Sequence, residues 1–123
     1  MLAPVFKTLN VPAVAALVGT PLRIYDFDSA PQGVQTPYIT WLDVSGQPFD
    51  NISEAPQGDF DTIQINCYTG PADDSRAQAR ALALAVRNAL DAALIHNRTI
   101  ITTRETDTQL FRVSIEADFI HNR

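Results

Sequence analysis

Cysteine is almost absent from this chain. Cys67 is the only one, so no internal disulfide can brace the fold. It stands inside an apolar strand pattern, which points to packing rather than to a reactive thiol. Histidine is nearly as scarce. His96 and His121 have no cysteine or second histidine nearby in sequence, and no zinc-ligand spacing occurs. Both read as surface residues, with His96 just after a long helix, where an imidazolium would meet the negative dipole end. There is no phosphate-binding glycine loop and no Gly-x-Ser-x-Gly elbow. No apolar run approaches the roughly 20 residues of a membrane span. Residues 1–7 lack the basic and apolar regions of a signal peptide, so a bacterial cytoplasm is the expected compartment of synthesis. Positive charge is thin as well: nine Lys and Arg stand against fourteen Asp and Glu, a net charge of −5. The arginines are scattered and form no basic stripe, which argues against nucleic acid as a bound ligand.

What is present is the composition of a globular domain. The 123 residues are 46% hydrophobic and 19% charged, enough for one domain over residues 1–123 with a real core. The start is helical but broken. Pro4 suits a first helical turn, with Val5, Phe6 and Leu9 on one face, and Asn10-Val11-Pro12 ends that segment. A second short helix over 13–18 stops at Gly19 and Pro21. Residues 22–27 read as a short strand and 28–35 as a loop. Pro37 disfavours helix at Thr36, so the chain enters the strand at 38–44 extended. Residues 45–58, with Gly46, Pro48, Pro56 and Gly58, read as a long loop of the kind that carries function. In the strand at 60–69, Ile63, Ile65 and Cys67 alternate with Gln64, Asn66 and Tyr68, one face buried and one wet. Asp73 or Asp74 can cap a helix that runs to about residue 94. Its apolar stripe is Ala79, Leu82, Ala83, Val86, Leu90 and Ala93, with Arg76, Arg80, Arg87 and Asp91 opposite. Strands at 99–103 and 110–121 close the chain as a hairpin around a polar turn at 105–108. Phe111, Val113, Ile115, Ala117 and Phe119 of the last strand face the core. The order predicts an α+β fold: a mainly antiparallel sheet, an N-terminal helical segment and one long helix packed on the sheet. Trp41, Ile63, Ile65, Val86, Leu90, Val113 and Ile115 are expected to be buried together.

Carboxylates form the one candidate chemical cluster. Asp26 and Asp28 lie near one loop, and Asp59 and Asp61 at the start of a strand. Residues two apart on a strand point the same way, so each pair could hold a divalent cation. The pattern is weak, because acidic residues at strand ends are ordinarily solvated. No catalytic, cofactor-binding or metal site is therefore expected. Apolar side chains in the long loop must either fold back on the domain or meet another chain, and Leu84 is either a lone exposed leucine or the apolar centre of a partner surface. Phe49, Asn51 and Ile52 in the long loop, and Leu84 with Arg80 and Arg87 on the helix, are the candidate interface residues.

Several segments, taken in order, resemble the tail-completion or tail-terminator proteins of long-tailed phages, which also occur in prophages and gene-transfer particles. They are Val14-Ala15-Ala16-Leu17-Val18-Gly19, then Leu22-Arg23-Ile24-Tyr25, then Ala30-Pro31-Gln32-Gly33 followed by Pro37-Tyr38 and a strand. Ile63-Gln64-Ile65-Asn66-Cys67-Tyr68, the helix around Ala81, Leu82, Val86, Arg87, Ala89 and Leu90, and the closing strand from Phe111 to Phe119 continue the match. Each is a packing pattern, and it is their order and spacing that carry the resemblance. Cys67 departs from the family, which often has Trp or Tyr there. The resemblance implies a non-enzymatic virion protein, assembled in the host cytoplasm and placed at the head-proximal end of the tail. It implies a ring, usually a homohexamer, on the last ring of tail-tube protein. Such a ring stops tube growth and presents a surface to the head connector or adaptor, while DNA passes through its lumen without specific binding. A head–tail connector adaptor, a small carboxylate-dependent hydrolase and a monomeric small-molecule-binding domain are the competing expectations.

Overall fold

The computed structural model describes residues 3–48 and 58–122. The elements are α1 (Val5–Leu9), α2 (Pro12–Val18), β1 (Ile24–Tyr25), β2 (Tyr38–Pro48), β3 (Gly58–Thr69), α3 (Ser75–Ala92), β4 (His96–Arg104) and β5 (Phe111–Asn122). The predicted order of elements and the α+β class both hold. Pro12 occupies the first turn of α2, where a backbone N–H would lack a partner in any case. Gly19 ends α2 at φ +84°, a backbone that favours glycine, and a Cβ there would meet the Arg23 guanidinium at 2.5 Å.

The five strands form one sheet in the order β1-β2-β3-β5-β4. β1 runs parallel to β2, and the other neighbours are antiparallel. β3 is the central strand, paired along its length with β2 on one side and β5 on the other. The period-two pattern puts Ile39, Ile63, Ile65, Cys67, Val113 and Ile115 on one face, and all are buried. α3 packs on that face against β3, β4 and β5, and α1 and α2 pack against α3. Ala79, Ala83, Ala85 and Ala89 are buried between the larger Leu82, Val86 and Leu90. Small side chains let the helix axis approach the sheet, and the larger ones fill the space between strands. Val5, Leu9, Val14 and Val18 complete the core from the two short helices.

The differences from expectation lie at element ends. Residues 22–27 reduce to the two-residue β1, and Phe27 and Asp28 turn away with φ of +55° and +50°. Ser45–Pro48 belong to β2 rather than to a loop, because Ser45 to Pro48 pair with Thr62 to Asp59 beyond a bulge after Asp43. The rest of the expected loop, residues 49–57, lies outside the described residues, Phe49, Asn51 and Ile52 with it. β4 begins at His96, earlier than expected. Asp74 sits at the N-cap of α3 but makes no side-chain capping bond, and Asp73 instead pairs with Arg104 at 3.1 Å. Ala93 lies past the end of α3 and is exposed, and Trp41 is only partly buried at the margin of the core. Leu90 and Ile65 sit at its centre, both fully buried. Leu90→Ala and Ile65→Ala should each lower unfolding stability in urea by about 2–5 kcal/mol; losses under about 1 kcal/mol would place these side chains outside the core.

Candidate functional site

On β3 and β5 the sheet face away from α3 was expected to be wet, yet its centre is buried. Thr40, Asn66 and Ser114, aligned across β2, β3 and β5, are 2%, 1% and 0% exposed. Buried polar groups must find partners, and these do. Ser114 Oγ donates to Asn66 Oδ1 at 2.6 Å, and Gln64 Nε2 donates to the same oxygen at 2.9 Å. Thr40 Oγ1 donates to Asp28 Oδ1 at 2.6 Å, and Asn66 Nδ2 reaches that oxygen at 3.5 Å. Asp28 is carried there by its left-handed backbone, with its N–H bonded to the Trp41 carbonyl at 2.9 Å. Beside this network the Tyr38 and Tyr68 rings stack at 4.8 Å. Toward β4, Arg98 pairs with Glu116 and, at 3.2 Å, with Asp118.

This placement decides what the candidate carboxylates do. Asp28 is fixed by two donors as the anchor of the loop that follows β1. Asp26 is exposed, and the turn between the two keeps them from acting as a strand pair. Asp61 is buried at 6% exposure. The Asp59 side chain lies outside the described residues. Among the described residues no three His, Cys, Asp or Glu side chains come together as a metal site would need. Cys67 is fully buried, and burial pushes its thiol up to about 12, so it stays protonated. Ser114 spends its hydroxyl proton on Asn66, an amide that cannot act as a base. His96 is exposed, as expected, and the His121 side chain is outside the described residues.

The second arrangement is a groove between α3 and β4. Arg76, Arg80, Leu84 and Arg87 follow one another at steps of four, four and three, so they share one side of the helix. That side overlooks β4 rather than pointing away from the sheet. The floor is Ala79, Ala83, Val113 and Thr102, and Arg104 closes one end. The groove exists because β4 offers threonines here where a covered strand would offer larger apolar residues. Phe111 lies at the Arg104 end, with the Arg104 and Arg76 guanidinium groups 4.6 and 5.3 Å from its ring centre. Arg104 also donates to the Pro71 and Gln109 carbonyls, tying the β4–β5 turn to the start of α3. Leu84 is 61% exposed over this groove. Arg87 is partly committed: its Nε donates to Asn97 Oδ1 at 2.8 Å, and Asn97 donates to Asp91 at 2.8 Å. So the structure does bring Arg80, Leu84 and Arg87 together along one groove.

The chain matches the model of the family described as tail completion protein gp17 over residues 4–122. The chain belongs to that family. It is therefore a structural protein of the phage tail and a component of a virion or virion-like particle. A search of curated proteins finds no match to this tail completion protein. Among solved structures, a chain from the virion of a native gene transfer agent (GTA) particle is similar in fold. Its TM-score is 0.70 at 21% identity, covering 97% of this chain and 92% of that one.

Sequence reasoning missed the exposure of Phe27, which stands 77% exposed beside Asp26. It was placed at the end of the short strand 22–27, and the available signal was its flanking aspartates next to a Pro/Gly loop. It also missed the buried polar centre of the sheet. Removing Asn66 leaves Ser114 without its acceptor, so Asn66→Ala should destabilise the fold by about 1–3 kcal/mol in denaturant titrations. Tyr68 is pushed up to about 12, chiefly by burial and then by the nearby Asp28 charge. Cys67 and Tyr68 are thus neutral in the fold but titrate from their ordinary 9.0 and 10.0 when unfolded. Their contribution is intact below about pH 9 and is lost as pH rises toward 12. Thermal unfolding across that window should show a falling midpoint, which Cys67→Ala makes shallower.

Proposed function

We propose that the protein is a tail terminator: a one-domain subunit whose copies close into a ring, six in number, on the last ring of tail-tube protein. In that position the ring stops tube growth and offers the head connector a docking surface. The family match over residues 4–122 carries this reading. The physical features are compatible with it. A ring needs a heterologous interface, two different patches on one subunit whose rotation closes. Among the described residues, helices cover one face of the sheet, and β1 and β4 are its edge strands, which leaves two such patches available. The net charge of −5 suits a ring through which DNA slides without being gripped. The role is one of assembly rather than catalysis, and Asp28, held by Thr40 and Asn66, acts as a structural acceptor.

Gold labelling of purified particles should place this protein at the head-proximal end of the tail, and cells lacking it should accumulate tubes of uncontrolled length. Labelling anywhere else, or tubes of normal length in its absence, would defeat the reading. Asp28→Asn retains an acceptor oxygen, so it should leave both folding and particle yield nearly unchanged. A folded Asp28→Asn chain that produced no joined particles would point to chemistry at this carboxylate.

A further inference from the structure

Two patches at opposite ends of the strand order carry local charge of opposite sign: Asp26 beside the exposed Phe27 at the β1 edge, and Arg76 and Arg80 over β4. Residues 24–44 contain three aspartates, Asp26, Asp28 and Asp43, and neither lysine nor arginine. On the side of α3 that overlooks the β4 edge stand Arg76, Arg80 and Arg87, and Asp91 near the helix end is bonded to Asn97. At the β1 edge Phe27 projects into solvent at 77% exposure, over Trp41 and Leu42. A bulky residue at φ +55° is an uncommon and strained conformation. At the β4 edge lies the groove lined by Arg76, Arg80, Leu84, Thr102, Arg104 and Val113. Its apolar floor suits an aromatic ring, and guanidinium groups stack on such rings while pairing with carboxylates. Among the described residues Arg76 and Arg80 form no ion pair.

We propose that the occupant of the α3–β4 groove is a second copy of this chain, which inserts Phe27 over the groove floor and sets Asp26 against Arg80. This rests on the ring reading and deepens it, by naming the two halves of the subunit contact. Strand order puts the patches four strand spacings apart, roughly 19 Å across the sheet. A subunit therefore cannot fill its own groove. Each copy uses one patch to each neighbour, so the contact is head-to-tail and propagates until it closes. Local charge complementarity favours the pairing, with Asp26 beside Phe27 on one copy facing the unpaired Arg76 and Arg80 on the next.

The test uses the full-length protein at its highest soluble concentration, followed by native mass spectrometry. Wild type should populate species larger than a dimer. Phe27→Ala and Arg80→Glu should each weaken self-association by about tenfold or more, while both remain folded because both side chains are exposed. An equimolar mixture of the two should give heterodimers and nothing larger, since only one intact contact can form between them. The double variant Asp26→Cys with Arg80→Cys should give a ladder of disulfide-linked multimers on mild oxidation. Neither single cysteine variant should, and the buried Cys67 does not interfere. Assembly untouched by Phe27→Ala but lost with Arg80→Glu would put a different segment in the groove and overturn the inference. So would assembly indifferent to both variants, or the absence of both multimers and ladder. None of these outcomes moves the gold label on the particle. A ladder obtained with a chain that labels elsewhere would instead defeat the terminator reading and leave the contact standing.

Discussion

Everything in this fold depends on the seating of α3 over β3 and β5. Its buried alanines allow close approach, and Leu82, Val86 and Leu90 fill the space between Ile63, Ile65, Cys67, Val113 and Ile115. Burial of large aliphatic side chains, each contributing about 1.5–3 kcal/mol, is the main driving force available to a chain of this size. α1 and α2 extend the same layer and add four fully or almost fully buried residues. With one helical layer serving one face, the sheet has to solve two problems by other means: its second face and its edges.

The centre of the second face is solved by hydrogen bonding among its own polar side chains. Thr40, Asn66 and Ser114 are small enough to be covered by their neighbours, and each donates to an acceptor supplied by Asn66 or by Asp28 from the loop after β1. A covered donor without an acceptor is expensive, so the loop is held to the sheet by the same bonds that satisfy the strands. That fastening has a consequence at the edge. The Asp28 carboxylate is bonded to Thr40 while its backbone turns left-handed, and Phe27 is displayed beside Asp26. The opposite edge is left open because β4 carries threonines under the arginines of α3. The proposed subunit contact joins these two results of a single packing scheme.

Much of this was legible in the residues. Period 3.6 over α3 and period 2 over β3 and β5 depend on burial against a core, and that pressure writes itself into the sequence. The alternation could say which way Asn66 and Ser114 point but not whether they are covered, since cover comes from side chains on adjacent strands and from a distant loop. Ser45, Gly46, Gln47 and Pro48 look like a loop by propensity, and antiparallel pairing with β3 overrides that preference. The aspartates flanking Phe27 and the Pro/Gly loop that follows signal a turn, but nothing in Tyr25-Asp26-Phe27-Asp28 fixes two left-handed residues, so the direction of Phe27 was not legible. The arginine row on α3 was correctly seen as a stripe. Its relation to β4 was not, because the side on which a helix meets an edge strand is set by topology.

Amide hydrogen exchange on the free subunit and on assembled tails tests the central claim most directly, that the two edges of the sheet are the surfaces of assembly. The account predicts new protection in the assembled state at residues 26–28, at 99–104 and along the 76–87 side of α3, with residues 63–67 equally protected in both. New protection confined to α1 and α2 or to the Tyr38–Tyr68 face, with both edges unchanged, would contradict it.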